Sequence, residues 1–461
     1  MRRRSVLIVV QNLPVPLDRR VWLECQALRN AGYDVAVICP KGPGDRKFEV
    51  REGVSLYKYK AAPATSGLFS YMLEFAYCWL RTALISLRVY RRHRFEVFQA
   101  CNPPDTFWLL GAFWRLFGVV YVFDQHDLNP ELFRSRFGDP TSLPGRMQLK
   151  MLLWLERMTY RTARHVIVPN DSYRQVAIER GRRVPSEVTV VRSGPDTTTM
   201  RPIDGLPELR RGARYLLAYI GIMGPQDNVD ILLRVMDVLV NQRRRDDVHL
   251  VLMGFGDCLE SLRSECTEMG LDRVVTFTGR VDQEKISRYL STAHLGLSPD
   301  LRTPLNNIST HNKTMEYMAH ALPSVSFDLV ESRISAQDSA VYVPSGNVTA
   351  FAAAIDDLLD DEDRRVRMSR FARSRCVAEL DWAPQARHYV QVYDRLTGSA
   401  PAAVLPRQER RTAGPHTVPI VAGRQAVDLR DPAVFETFLR HRSVLRPETE
   451  TVSPELLKNA P

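Results

Sequence analysis

The tetrapeptide DQHD places Asp124, His126 and Asp127 within four residues, directly after the apolar run FGVVYVF. An imidazole at such a point can hydrogen-bond a reacting hydroxyl or a developing charge, and the flanking carboxylates can orient the ring or fix its tautomer. A histidine that caps a helix or satisfies a loop would show the same residue types, so both readings stay open. A second constellation is STHNKTMEYMAHALP, residues 309–323. Its polar start, Ser309 to Asn312, precedes a helix whose Met315, Met318 and Ala319 read as buried, and Thr310 or Asn312 could cap it. Lys313 stands in the first turn, where a cation opposes the helix dipole. That placement makes sense if an anion docks there. Glu316, one turn on, could hold two vicinal hydroxyls such as those of a ribose by bidentate acceptance. The competing reading is a solvated Lys–Glu pair at i, i+3, worth about 0.2–0.5 kcal/mol.

Two glycine-bearing turns could approach a phosphate. YIGIMGPQDNVD sets Gly221 and Gly224 between a strand and a helix, which suits backbone N–H contact with an anion and equally suits a tight turn. MGFGD supplies Gly254 and Gly256, but Leu259 occupies the place of the third glycine of a dinucleotide fingerprint, so a redox cofactor is not expected.

These residues need elements to position them. SVLIVV, YDVAVICP, FEVFQACNPPD, VVYVFDQHD, HVIVPND and VTVVRSGPD read as strands in the first half. RYLLAYIG, VHLVLMGFG, VVTFTGRV, HLGLSPD and PSVSFD read as strands in the second half. Continuous apolar runs of this kind are those of parallel strands buried on both faces. Alternation with helical stretches predicts two doubly wound α/β domains, 1–200 and 201–382, joined near PIDGLPELRRG. Ligands in such sheets sit beyond the carboxyl ends of the strands, so the cleft between the domains is the expected site. A last helix over about 383–397 is expected to follow the second domain and could cross back to the first. Residues 398–461, rich in Pro, Ala and Arg, are expected to be mostly disordered, with a short helix at DPAVFETFLRHR capped by Asp431.

The chain has 461 residues and a formal net charge of +10, which favours phosphates, nucleic acids or anionic lipid surfaces as partners. No recognised nucleic-acid module occurs, and no nucleic-acid partner is expected. Seven scattered cysteines without a C-x-x-C pair suit a reducing compartment. The basic N-terminus leads into too short an apolar stretch for a signal peptide, so a cytoplasmic location is expected. Residues 67–94, GLFSYMLEFAYCWLRTALISLRVYRRHR, are apolar and aromatic with a basic end. Glu74 and Arg81 make this a poor transmembrane span. It could lie in an anionic membrane interface or form a core helix pair with a solvated basic end.

Taken together, PLDRRVWLECQALRNAGYDVAVICP, QACNPPD, VFDQHDLNPELF, VIVPND, VVRSGPD, YIGIMGPQDNVDILL, VLMGFGD, FTGRV and NKTMEYMAHALPSVSFDLVE resemble the retaining glycosyltransferases of family 4, over roughly residues 5–397. The resemblance implies the GT-B architecture, two Rossmann-like domains facing a cleft, and transfer of a sugar from a nucleotide-sugar, UDP- or GDP-linked, with retention. It implies His126 beside the reacting sugar and Glu316 on the ribose; Lys313, from its place in the first turn of the helix that carries Glu316, is taken as a third catalytic residue. Arg280 and Val281 would touch the base and Gly221 the diphosphate, with Met223, Gly256, Ser309, Asn312 and Thr314 also on the donor side. Asp18, Arg19, Asp124 and Asp127 would line the acceptor side. No cofactor and no metal are expected, because basic residues and helix N-termini neutralise the leaving diphosphate. The acceptor would be a glycan, a lipid-linked or a small molecule, in cell-surface polysaccharide or glycoconjugate synthesis.

Two positions depart from the family pattern. Its basic pair after Gly221 is replaced by Ile222 and Asp227, which makes Lys313 and then Arg192 the candidates for neutralising phosphate. Its first motif glutamate is replaced by Ile308, leaving Asn306, Asn307 and Ser309 to hold the donor sugar. These forms resemble a subgroup with GxMGPQD and NKxxEYMA. The same departures also fit a non-catalytic sugar-nucleotide-binding scaffold, and a GT-B sugar-nucleotide epimerase is a third reading.

Overall fold

The structure, a computed structural model, describes residues 4–61, 68–398 and 432–442. The first sheet has eight strands: β1 (Ser5–Val9), β2 (Asp34–Pro40), β3 (Phe48–Arg51), β4 (Val54–Tyr59), β5 (Val97–Cys101), β6 (Val120–Asp124), β7 (His165–Val168) and β8 (Val188–Val190). Their order is β3-β4-β2-β1-β5-β6-β7-β8, and only β3 runs antiparallel. The second sheet has six parallel strands: β9 (Tyr215–Ile222), β10 (Val248–Phe255), β11 (Val275–Gly279), β12 (Leu295–Ser298), β13 (Ser324–Phe327) and β14 (Ala340–Val343), in the order β11-β10-β9-β12-β13-β14. Two doubly wound α/β domains are therefore present, as the apolar runs imply. The order reverses at β1 and at β9, and the carboxyl ends of these strands are where such sheets bind ligands.

Three strands escape the sequence reading. β4 carries Lys58 in an otherwise apolar stretch. That lysine is buried because Asp45 and Glu49 pair with its ammonium at 2.8 and 2.7 Å, and the charge breaks the run. β3 is an edge strand with little burial, and β14 is only four residues long.

The Trp382–Thr397 helix, capped by Asp381, packs on the Arg19–Asn30 helix of the first domain and buries Trp382, Tyr389 and Tyr393 there. Of the stretch 398–461 expected to be mostly disordered, residues 399–431, with the Asp431 cap, and 443–461 fall outside the described residues. Within that stretch Pro432–His441 is helical and docks on the second domain through Phe438 and Leu439. The buried Arg442 donates to the carbonyls of Ala321 and Leu290 at 2.7 Å each and of His320 at 3.2 Å. Arg442→Met removes these donors and is expected to lower stability by about 2–4 kcal/mol, read as a shift of the urea midpoint at constant slope. An unchanged midpoint would show that the helix is not docked in solution.

Candidate functional site

The Arg19–Asn30 helix starts at the carboxyl end of β1, where Asp18 accepts the Val21 N–H at 3.1 Å as its N-cap. This places Arg20 against Asp124, the last residue of β6, at 2.9 Å. Arg20 also pairs with Glu24 one turn on, at 3.1 Å. The other oxygen of Asp124 holds His126 Nε2 at 2.7 Å. Beneath them, Gln99 of β5 donates to Glu24 at 2.9 Å and to Asp124 at 3.2 Å. Its carbonyl oxygen accepts from Tyr389 at 2.6 Å and from Tyr393. The His126 backbone is fixed by Asn102, which accepts its N–H at 2.7 Å.

These contacts set the charges. Burial alone would raise the Asp124 carboxyl, but Arg20 and His126 hold it well below the usual carboxylate range. Burial alone would lower the His126 ring, but Asp124 raises it to about 9. The ring is therefore an imidazolium at neutral pH, with Nε2 donating to Asp124. Burial and then the Asp124 charge push the Glu24 carboxyl up, so the two acids share Arg20 unequally. Cys101, Asp124 and His126 lie within metal-ligand distance of one another. The Asp124 oxygens already bind Arg20, Gln99 and His126.

In the second domain the Asn312–Ala319 helix follows His311, whose side chain makes no capping hydrogen bond. The loop before it is clasped by the first domain. Asn170 donates to the Ile308 carbonyl and to Thr310 Oγ1, both at 2.9 Å, and Tyr173 meets Ser309 Oγ at 2.9 Å. Glu316 binds Arg19 across the cleft at 2.7 Å through one carboxylate oxygen.

A cavity of about 340 Å³ lies between the domains. It brings together Asp18, Arg19, His126 and Asp127 of the first domain with Ser309 and Asn312 of the second. Arg20, Tyr173, Ser193 and Trp382 also line it and were not anticipated. The Arg20–Glu24 spacing of four residues after Asp18 was the available signal for the first of these. Asp124 sits behind the wall, fully buried.

Several expectations require correction. Lys313 is not a solvated cation. Its buried ammonium is held bidentate by Asp300 at 2.7 and 2.9 Å and lies 5.2 Å over the Tyr219 ring. Arg192 points away from the cavity, toward Asp171 at 3.5 Å and Glu331 at 3.8 Å. Asn306 donates to the Gln226 and Leu301 carbonyls, and Asn307 accepts the Val330 N–H, so both hold the loop itself. Met223 and Thr314 are buried; the Met223 side chain is core. Gly221 lies at the carboxyl end of β9, over Lys313 and Tyr219. Gly256 is required by packing, because a Cβ there would come within 2.6 Å of the Met223 carbonyl oxygen. Arg280 is exposed and lies 5.5 Å over the Phe255 ring, with Val281 half-buried beside it. This places both near the end of β10, outside the cavity.

Comparison with known proteins accounts for both domains. Residues 17–194 match the glycosyl transferase 4-like domain, and residues 214–361 match glycosyl transferases group 1. The chain is 27% identical over 304 residues to alpha-maltose-1-phosphate synthase of Mycolicibacterium smegmatis, covering 61% of this chain and 74% of that protein. Its fold is similar to that of sucrose-phosphate synthase from Thermosynechococcus elongatus, with a TM-score of 0.69, 18% identity, and coverage of 86% of this chain and 100% of the other. Anabaena HepE in complex with UDP-glucose is also similar, with a TM-score of 0.62, 14% identity, and coverage of 85% and 99%. Two facing parallel-sheet domains with a cleft at their strand ends define the GT-B class. Within that class the paired domain matches make this chain a glycosyltransferase of the family-4 type.

Proposed function

We propose that this chain is a metal-independent, retaining hexosyltransferase. It would move a sugar from a UDP- or GDP-sugar to a glycan, lipid-linked or small-molecule acceptor in cell-surface polysaccharide or glycoconjugate synthesis. It would work in the cytoplasm. The UDP-glucose bound by HepE favours a uridine donor. The observation that carries the reading is the cavity in which His126 faces Ser309, Thr310 and Asn312 at the start of the Asn312–Ala319 helix.

In this reading the nucleotide lies on the second domain. Glu316 takes the ribose hydroxyls, with Arg19 holding one carboxylate oxygen in place. Arg280 over Phe255 offers a face to the base. The cations lining the cavity, Arg19, Arg20 and His126, all belong to the first domain. The leaving diphosphate is therefore neutralised across the cleft, which answers the loss of the usual basic pair at Ile222 and Asp227. The charged His126 cannot act as a base. It donates to the transferring sugar while the departing phosphate oxygen takes the acceptor proton, on the same face of the ring.

A thermal-shift screen against UDP-, GDP-, ADP- and dTDP-sugars tests the donor assignment, since a ligand of the native state raises its melting temperature. A UDP- or GDP-sugar is expected to shift the midpoint by several degrees, and Glu316→Ala to abolish that shift while the unliganded melt persists. A response to none of the four, or an unchanged response in Glu316→Ala, would refute the assignment. Binding without any donor turnover would instead identify the scaffold reading, and interconversion of the free donor's sugar would identify the epimerase reading.

A further inference from the structure

The helices Leu68–His93, Trp108–Arg115 and Leu143–Thr162 lie side by side on one face of the first sheet. Cys78, Val89, Leu110, Trp114 and Tyr160 from the three helices share one core cluster with Leu7 and Val9 of β1. Aromatic contacts bind their outer parts together: Trp108 meets Trp154 at 5.9 Å, and Tyr90 meets Phe117 at 6.2 Å. Their outward faces are therefore one continuous surface, on a different side of the domain from the helix pair formed by Arg19–Asn30 and Trp382–Thr397.

That surface is unusually apolar for one facing solvent. Leu84 is 53% exposed, Leu116 83% and Met147 63%, and Phe117, Met151 and Trp154 are exposed with them. On the Leu143–Thr162 helix, Leu143, Met147, Met151 and Trp154 form one stripe at spacings of four and three, on the side opposite the buried Leu149 and Tyr160. Lys150, Arg157 and Arg161 border this stripe, and Arg81, Arg88 and Arg115 stand on the neighbouring helices, all exposed. Among the described side chains of these three helices the single acid is Glu156, which is buried and paired with Arg180 at 2.7 Å.

We propose that this three-helix face docks the enzyme on an anionic lipid surface. Apolar side chains flanked by long basic ones match a bilayer boundary, where the former enter the acyl region and the latter reach the headgroup phosphates. A second copy of the same face is disfavoured, because basic residues would meet basic residues with no exposed acid between them among the described side chains. None of the described helices is long and apolar enough to cross a membrane, so the contact is peripheral. The face extends the described, basic part of the Leu68–His93 helix, residues 76–93, into a platform of three helices. It lies outside the transfer cavity, so the inference stands whether or not the assigned reaction does.

Vesicle flotation of the full chain tests it, with phosphatidylcholine alone or mixed with phosphatidylglycerol. The protein is expected to float only with the mixed vesicles and to be released by high salt. The Arg88→Ser/Arg115→Ser/Lys150→Ser variant is expected to lose at least about tenfold in partitioning, and Leu116→Ser/Met151→Ser/Trp154→Ser to lose binding as well, both with wild-type melting temperatures. Arg273→Ser/Lys285→Ser/Arg367→Ser removes the same charge from exposed sites of the second domain and is expected to stay within about twofold of wild type. Absence of flotation, or equal loss in this control, overturns the proposal. So does a wild-type dimer that the apolar variant converts to monomer without any change in vesicle binding.

Discussion

Asp124→Asn is expected to lower sugar transfer by about 100- to 1000-fold, the usual cost of losing one preorganised charged donor at a reacting centre. It is also expected to move the alkaline limb of the rate profile. Asp124 raises the His126 ring to about 9 against burial, which pulls the other way. Without the carboxylate, burial and the Arg20 charge lower the ring against the Asp18 charge alone, and it falls below its ordinary value of 6.5. Wild-type activity should therefore decline as pH rises through about 9, and that of the variant should decline already below neutrality. His126→Ala should show a comparable loss with no such limb. Ring titration by NMR reads the shift directly. A variant that keeps its limb near that of wild type would refute the role assigned to the pair.

Stability has its own signs. The folded value of His126 is raised, so its contribution is fully present below the unfolded value and is lost as pH rises through about 9. The Asp124 value is lowered, so its contribution is present above the ordinary carboxylate range and is lost as pH falls. In Asp124→Asn the Asp124 charge no longer raises the Glu24 carboxyl, which eases the pairing of Glu24 with Arg20 while burial still raises it. This substitution should therefore perturb function more than folding.

The second large effect is on folding. Asp300→Asn is expected to destabilise the chain by about 3–5 kcal/mol, because it leaves the buried Lys313 ammonium without its partner. Lys313→Met strands Asp300 in the same way, because burial holds the neighbouring His311 ring, 3.7 Å away, below its ordinary value. Asp300→Asn combined with Lys313→Met should recover most of the loss, since removing both charges from a buried pair is far less costly than removing one. Chemical unfolding of the two single variants and the double variant completes the cycle. If Lys313→Met left the unfolding midpoint unchanged and weakened only donor binding, the lysine would be a phosphate ligand after all.

The sequence carried the alternation of buried strands and helices, because parallel strands covered on both faces must be apolar along their length. It therefore determined two doubly wound domains and a cleft at their strand ends. It also singled out His126 and Glu316, whose residue types stand out at a strand end and one turn into a helix. β4 was hidden because Lys58 is buried only by virtue of Asp45 and Glu49, contacts that no local pattern records. For the same reason only the tertiary structure decided which charges are engaged. Asp300, 13 residues before Lys313, claims the lysine. Arg20, 104 residues before Asp124, shares that carboxylate with His126, and Tyr389 returns 290 residues later to hold Gln99 beneath them. Residue type and spacing show which groups can ionise. Burial and long-range pairing, which exist only in the folded chain, decide the charge each one carries.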